Sequence, residues 1–200
     1  KRYSYDWANL WLINTHNGIK GKIPRIQIEN YPAIKAHLDQ YWEKISTRAD
    51  KGDTPYNLRN CAYMEDFSKP KIVWGEISDK SKFAFDFLGE YIPEATTFYL
   101  NGEYIEYLLT ALNSSVSEWL FSKTGTTTGV GTIRWKKYTI EQLIVAKPNY
   151  EQQKEHLAAF ENLKAGKMSI SDFKDFSNKL MCKIYELTNE EIRAIENLYN

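Results

Sequence analysis

At residue 150 the chain changes its repeat. Upstream, short runs of β-branched and aromatic residues alternate with polar ones and are cut by turn chemistry; downstream, apolar residues recur only three and four positions apart. Apolar side chains that recur by threes as well as fours cannot all keep to one face of a strand, where only even spacings do, so everything after residue 150 is expected to be helical. "YEQQKEHLAAFENLKAG" brings Leu157, Phe160 and Leu163 together before Gly166, and "SISDFKDFSNKLMCKIYEL" does the same for Ile170, Phe173, Phe176, Leu180, Ile184 and Leu187. Thr188 followed by Glu191 forms a capping box that opens a third helix carrying Ile192, Ile195 and Leu198. The fold class is therefore α+β: a compact, irregular β-rich domain with packed helices over 1–149, then an α-helical hairpin and tail over 150–200. The hairpin is expected to pack back onto the preceding domain.

Three strands are legible upstream, "KIVWGEI" (71–77), "FAFDF" (83–87) and "ATTFYL" (95–100), separated by turn residues at Ser78, Asp79 and Lys80 and at Gly89 and Glu90. "DWANLWLINTHNGI", with Trp7, Leu10, Trp11 and Ile13, reads as a buried edge or strand reaching a turn at Asn17 and Gly18, and "KIPRIQIE" as a short extended piece. Asn30 and Pro32 are suited to start a helix whose stripe of Ile34, Leu38, Tyr41, Trp42 and Ile45 is expected in the core. The polar stretch 47–66 reads as a loop, with an irregular strand around Arg59. "NGEYIEYLLTALNSSVSEWLFSKTG" reads as one helix with Ile105, Leu108, Leu109, Leu112, Val116, Trp119 and Leu120 on its stripe and Gly125 just past its end.

Between that helix and the next strand, expected over 132–138, runs "TGTTTGVGTIRW", with five threonines and three glycines. Such a stretch gives little folding stability, because glycine loses the most backbone entropy on ordering and threonine hydroxyls compete for local backbone groups. It lacks the G-x-x-x-x-G-K-[S/T] spacing and lysine of a phosphate-cradling loop. Two readings stay open: a plain surface connection, or a loop that lies along a polyanion, its small residues permitting close approach and the following cations gripping it. The net charge of the chain is zero, yet over 123–147 five basic residues, Lys123, Arg134, Lys136, Lys137 and Lys147, face one acid, Glu141. Alternation along a strand would put Arg134 and Lys136 on one face and Trp135 and Lys137 on the other, with Trp135 in the core.

Two hundred residues suffice for one sizeable domain or a domain with an appendage. Cys61 and Cys182 are far apart and form no C-x-x-C pair, and His16, His37 and His156 are scattered, so reduced thiols, a cytoplasmic setting and no zinc site are expected. No run suits a membrane span or a signal peptide, and the start at Lys1 suggests a piece of a longer polypeptide. Chemistry is sparse. Glu65 with Asp66 and Glu190 with Glu191 are sequence neighbours that point apart; Asp172-Phe173-Lys174 has the form of a nuclease triplet but lies on an expected helix without a second acid; and neither a nucleophile elbow, a glycine-rich S-adenosylmethionine loop nor an Asn-Pro-Pro-Tyr tetrad is present. The chain reads as a binder.

The ordered series "FSKPKIVWGEIS", "FAFD", "TTFYLNG", "YLLTALNSSVSEWLF" and "GTIRWKKYTIEQLIVAKP" resembles the TaqI-like C-terminal specificity domain of adenine-specific DNA methyltransferases and of the fused type IIG restriction and modification enzymes. Its Pro-Lys-Ile strand stands here as Pro70-Lys71-Ile72, and its Leu-Asn-Ser helix end as Leu112-Asn113-Ser114. The closing strand is degraded to Leu143-Ile144-Val145-Ala146-Lys147-Pro148, and "CKIYELTNEEIRAIE" resembles the end of type IIG chains. The resemblance implies a target-recognition domain for double-stranded DNA, without catalytic residues, metal or cofactor of its own. S-adenosylmethionine and magnesium would belong to an upstream methyltransferase domain and, in type IIG enzymes, a nuclease. It makes the threonine-glycine loop DNA-facing and the candidate DNA contacts Lys123, Thr126, Thr127, Thr128, Arg134, Lys136 and Lys137, with Arg48, Lys51, Arg59 and Lys69 elsewhere. The alternative is a protein-interaction module in which the C-terminal hairpin docks a partner subunit.

Overall fold

A computed structural model describes residues 1–127 and 132–197. The chain forms two compact units: Trp7–Asp66, and a larger one made by Lys1–Asp6 together with Phe67–Asn200.

The smaller unit is held more by polar groups than by apolar ones. Its helices are short, α1 (Pro32–Asp39) and α2 (Trp42–Thr47), and neither contains a fully buried residue. The single helix expected here is broken at Gln40 and Tyr41, which splits the apolar stripe and leaves Tyr41 and Trp42 exposed. Asn30 ends a short 3-10 turn, so Tyr31 takes the N-cap position and gives no side-chain cap. The segment around Trp7 to Leu12 is neither strand nor core: Leu10 is 77% and Trp11 85% exposed. The centre of the unit is Asn57, buried, whose amide donates to the carbonyl of Ile26 at 3.0 Å, while the Leu58 N–H donates to the Thr15 carbonyl and the Thr15 hydroxyl to that of Tyr56. The turn at Gly18 needs glycine, because φ is +75° and a Cβ there would lie 2.2 Å from the Ile23 carbonyl oxygen.

In the larger unit β1 (Lys71–Gly75) is the central strand of an antiparallel sheet. A second small antiparallel sheet begins with β2 (Ile77–Ser78); β3 (Ala84–Asp86) and β4 (Thr97–Leu100) flank β1, with Ile72 opposite Phe85 on one side and Leu100 on the other. The first sheet is fastened by an ion pair with almost no solvent access: Lys71 Nζ lies 2.5 Å from an Asp86 oxygen and also donates to the Phe67 carbonyl. Asp86 accepts three further bonds, from the N–H groups of Gly89, Glu90 and Tyr91. Burial pushes its carboxyl up, but the Lys71 and backbone donors outweigh this and hold it below the ordinary carboxylate range.

The long helix expected after β4 is two, α3 (Ile105–Leu112) and α4 (Ser115–Thr124). Asn113 makes the break: its side chain accepts from the Phe83 N–H at 3.1 Å and donates to the Phe83 carbonyl at 2.9 Å, tying the helix junction to the start of β3. Ser114 then caps α4 through the Ser117 N–H. In the Leu-Asn-Ser motif Leu112 closes α3 in the core, Asn113 both breaks the helix and clamps the strand, and Ser114 caps α4.

Beyond α4 come β5 (Thr126–Thr127), β6 (Ile133–Arg134) and α5 (Lys137–Ile140). They are followed by α6 (Tyr150–Lys164), α7 (Ile170–Ile184) and α8 (Asn189–Glu196), each with a side-chain cap. Phe160 of α6 and Phe173 of α7 have no exposed surface and join Ile72, Phe83, Phe85 and Leu109 in the core, and Leu180, Met181 and Ile184 pack with Ile195 and with Ala111 and Val116 of α3 and α4. The helical hairpin packs onto the strand-bearing part of its own unit. Leu198, expected on the last stripe, lies outside the described residues. Among the described residues no helix is long and apolar enough to cross a membrane.

Candidate nucleic-acid interface

The two ends of the threonine-glycine run pair as a β-hairpin. As α4 ends, the Gly125 N–H donates to the Phe121 carbonyl at 2.6 Å, and the chain goes straight into β5. In the second sheet, of order β2-β6-β5, Arg134 lies opposite both Thr126 and Ile77, and Ile133 opposite both Thr127 and Ser78. Strands of two residues contribute little by themselves. What fixes the hairpin is the next residue.

Trp135 is 1% exposed, and its ring stacks on Phe121 with centroids 4.2 Å apart and planes 3° from parallel, while Phe83 meets it edge-on. Its backbone N–H donates to the Glu76 carbonyl at 2.6 Å, its carbonyl accepts from the Trp74 indole at 2.8 Å, and its own indole donates to the Ser78 carbonyl at 3.1 Å. The polar groups of a large apolar residue are thereby satisfied inside the core. The base of the hairpin is tied to α4, β1 and β2 at once.

Around this base stand the cations. Arg134 is half-exposed and paired with Glu76 at 3.6 Å. Lys123, exposed in the last turn of α4, lies 5.6 Å from the Trp119 ring centroid. Lys136, half-buried, precedes α5 with its ammonium 5.9 Å from the Tyr138 ring centroid, and Lys137, exposed, faces Glu141 at 3.6 Å. The strand expected over 132–138 stops at Arg134 because the chain turns into α5 at Lys137. Strand alternation therefore does not reach that lysine: Trp135 is core and Lys137 is on the surface. Thr126 is exposed; Thr128 lies outside the described residues.

The remaining candidates lie elsewhere in the chain. Arg48 uses its guanidinium to brace the smaller unit's polar loop, donating to the carbonyls of Pro55 at 3.1 Å and Asn57 at 2.7 Å. In the same loop Lys51 donates to the Ser46 carbonyl, and Arg59 pairs with Asp50 with both side chains well exposed. Lys69 is exposed just before β1. Glu76, which holds Arg134, sits within the stretch expected as a strand, and Lys80, two residues after β2, within the expected turn, so neither stands out in the sequence as part of a site. The Asp172 triplet is a helix start: Asp172 accepts from the Ser169 hydroxyl, and its N–H donates back to it. Among the described residues no group of acids, histidines and cysteines is placed to hold a metal.

An α+β body that fixes one hairpin by its base and carries cations on and beside that base has the build of a recognition module. The chain belongs to the TaqI-like C-terminal specificity domain family, which it matches over residues 5–145, and so to the specificity domains of restriction and modification enzymes. No curated protein matches it.

Proposed function

We propose that the chain is the target-recognition domain of an adenine-specific DNA methyltransferase of a restriction and modification system, and that the β5–β6 hairpin meets double-stranded DNA. The observation that carries this reading is the hairpin's construction, anchored at Trp135 and rimmed by Lys123, Arg134, Lys136 and Lys137. Solvent-exposed ion pairs contribute about 0 to 1 kcal/mol, whereas a bidentate arginine contact to guanine discriminates by about 1 to 3 kcal/mol. Arg134 therefore gains by exchanging Glu76 for a base edge or phosphate. The threonine hydroxyls are short donors suited to phosphate oxygens. Lys51, Arg59 and Lys69 supply further phosphate contacts, and Arg48 acts through the loop it braces.

On this reading the upstream part of the parent polypeptide carries the methyltransferase and, in a type IIG arrangement, a nuclease, and S-adenosylmethionine and magnesium bind there, in the cytoplasm. Docking of a partner through the helical hairpin is less well supported, because Phe160, Phe173, Leu180 and Ile184 are committed to the protein's own core. The test is Arg134→Ala, titrated against a panel of duplexes. Loss of about 1 to 3 kcal/mol with relaxed preference at one base pair marks a base contact, and a uniform loss a phosphate contact. Unchanged affinity for every duplex would remove the hairpin from the interface.

A further inference from the structure

The larger unit carries a second cationic feature, a groove of about 810 Å³ that opens between the turn after β2 and the helices α4, α7 and α8. Seven basic side chains line it against two carboxylates, Glu118 and Glu196. In a chain of zero net charge this is a strong local separation of sign. Several of the cations are already matched. Arg2 pairs with the buried Glu118, which also accepts from the Ser81 N–H and hydroxyl, and Lys1, Lys82 and Lys183 pair with Asp6, Asp79 and Glu155. Lys80, Lys174 and Lys179 are exposed and have no acidic partner among the described residues.

Resting on the DNA-recognition reading, the geometry points to this groove as a second contact with the same duplex, gripping backbone phosphates through Lys80, Lys174 and Lys179. Three observations carry it. First, Lys80, which lines the groove, follows by two residues Ser78, which pairs with Ile133 of β6, so the turn after β2 joins the groove to the sheet that carries the hairpin. Second, Lys174, Asn178, Lys179 and Lys183 of α7 all line the groove, along about 13 Å of helix, a length that spans several phosphates of one strand. Third, the Asn178 side-chain oxygen is occupied by the Ser115 N–H at 2.9 Å, which leaves its amide N–H groups as donors toward the groove. Neutral donors and cations without carboxylates to match them suit phosphate oxygens. Because such contacts carry no sequence information, the groove sets affinity while the hairpin sets preference.

The test measures duplex binding by fluorescence anisotropy over a range of salt for three proteins: the unaltered chain, Lys174→Gln with Lys179→Gln, and a matched control, Lys154→Gln with Lys167→Gln, on exposed positions outside the groove. Counterion release makes the slope of log affinity against log salt shallower by about 0.9 for each phosphate that is no longer neutralised. The groove variant is expected to lose about 2 from that slope and about tenfold in affinity at low salt, with its base preference unchanged and the control unaltered. A groove variant that overlays the unaltered chain overturns the inference while leaving the recognition reading intact. An equal loss in the control overturns it too, by making net charge the cause. Absence of duplex binding by the unaltered chain at low salt removes both.

Discussion

Replacing Trp135 by alanine would delete the stacking on Phe121 and strand the Ser78 carbonyl, which otherwise accepts the indole N–H. The expected cost is about 3 to 5 kcal/mol in urea denaturation, and a loss under about 1 kcal/mol would show that the hairpin base is held by something else. Lys71→Met leaves the Asp86 carboxylate buried without its cation, and a destabilisation of similar size is expected, about 3 to 5 kcal/mol. Little change would mean that the three backbone donors suffice. His156 offers a pH readout. Buried against Phe160 and Tyr107, with Nε2 2.9 Å from the Thr110 hydroxyl, its ring is pushed from the ordinary 6.5 down to about 4 by desolvation. In the unfolded chain it takes a proton below about 6.5 that the folded protein accepts only near 4, so stability falls as pH drops through that window, by about 3 kcal/mol in all. His156→Gln should flatten that part of the stability profile; a profile that keeps its slope assigns it to other groups.

Local signals proved readable where a single residue has a local job. The capping box of Thr188 and Glu191 forms as expected, and Asn149 with Gln152 makes another at α6. The strands around Ile72, Phe85 and Phe98 lie where alternation put them, but the first, expected over 71–77, stops at Gly75, and Ile77–Ser78 pairs in the second sheet instead. Apolar spacing failed where a tertiary bond competed. Asn113 interrupts a well-patterned helix because its amide clamps Phe83 instead of extending a stripe, and Trp135 ends a strand because its ring and backbone are claimed by the core. The stripe of α1 and α2 was misleading for another reason: it has the right spacing on helices too short to bury it. At the junction of α4 and β5, Gly125 has an ordinary φ, yet a Cβ would lie 2.6 Å from the Phe121 carbonyl oxygen and 2.8 Å from its ring. Gly125→Ala should therefore displace the start of the hairpin and weaken duplex binding with little change in helix content by circular dichroism. Unchanged binding would show that β5 moves without consequence.

Over the whole molecule, composition is a poor guide to the proposed interface. Zero net charge argues against a nucleic-acid partner, but the charges are segregated, with cations gathered around the hairpin and in the groove of α7. The hairpin was legible as a cationic window over 123–147, whereas the groove was not, because Lys80 and the lysines of α7 come together only through the fold. Of the candidates, Lys123, Thr126, Arg134, Lys136 and Lys137 cluster on consecutive elements of one unit, while Arg48 turned out to brace backbone.

On the proposed function, the chain reads duplex DNA through the hairpin. The most direct measurement is a mobility shift against a pool of random-sequence duplexes at low and moderate salt, with sequencing of the retained DNA. The expected result is salt-sensitive binding that enriches one motif, with Arg134→Ala blurring it at a single position. Binding that ignores salt and enriches nothing, or no binding even at low salt, would contradict the claim.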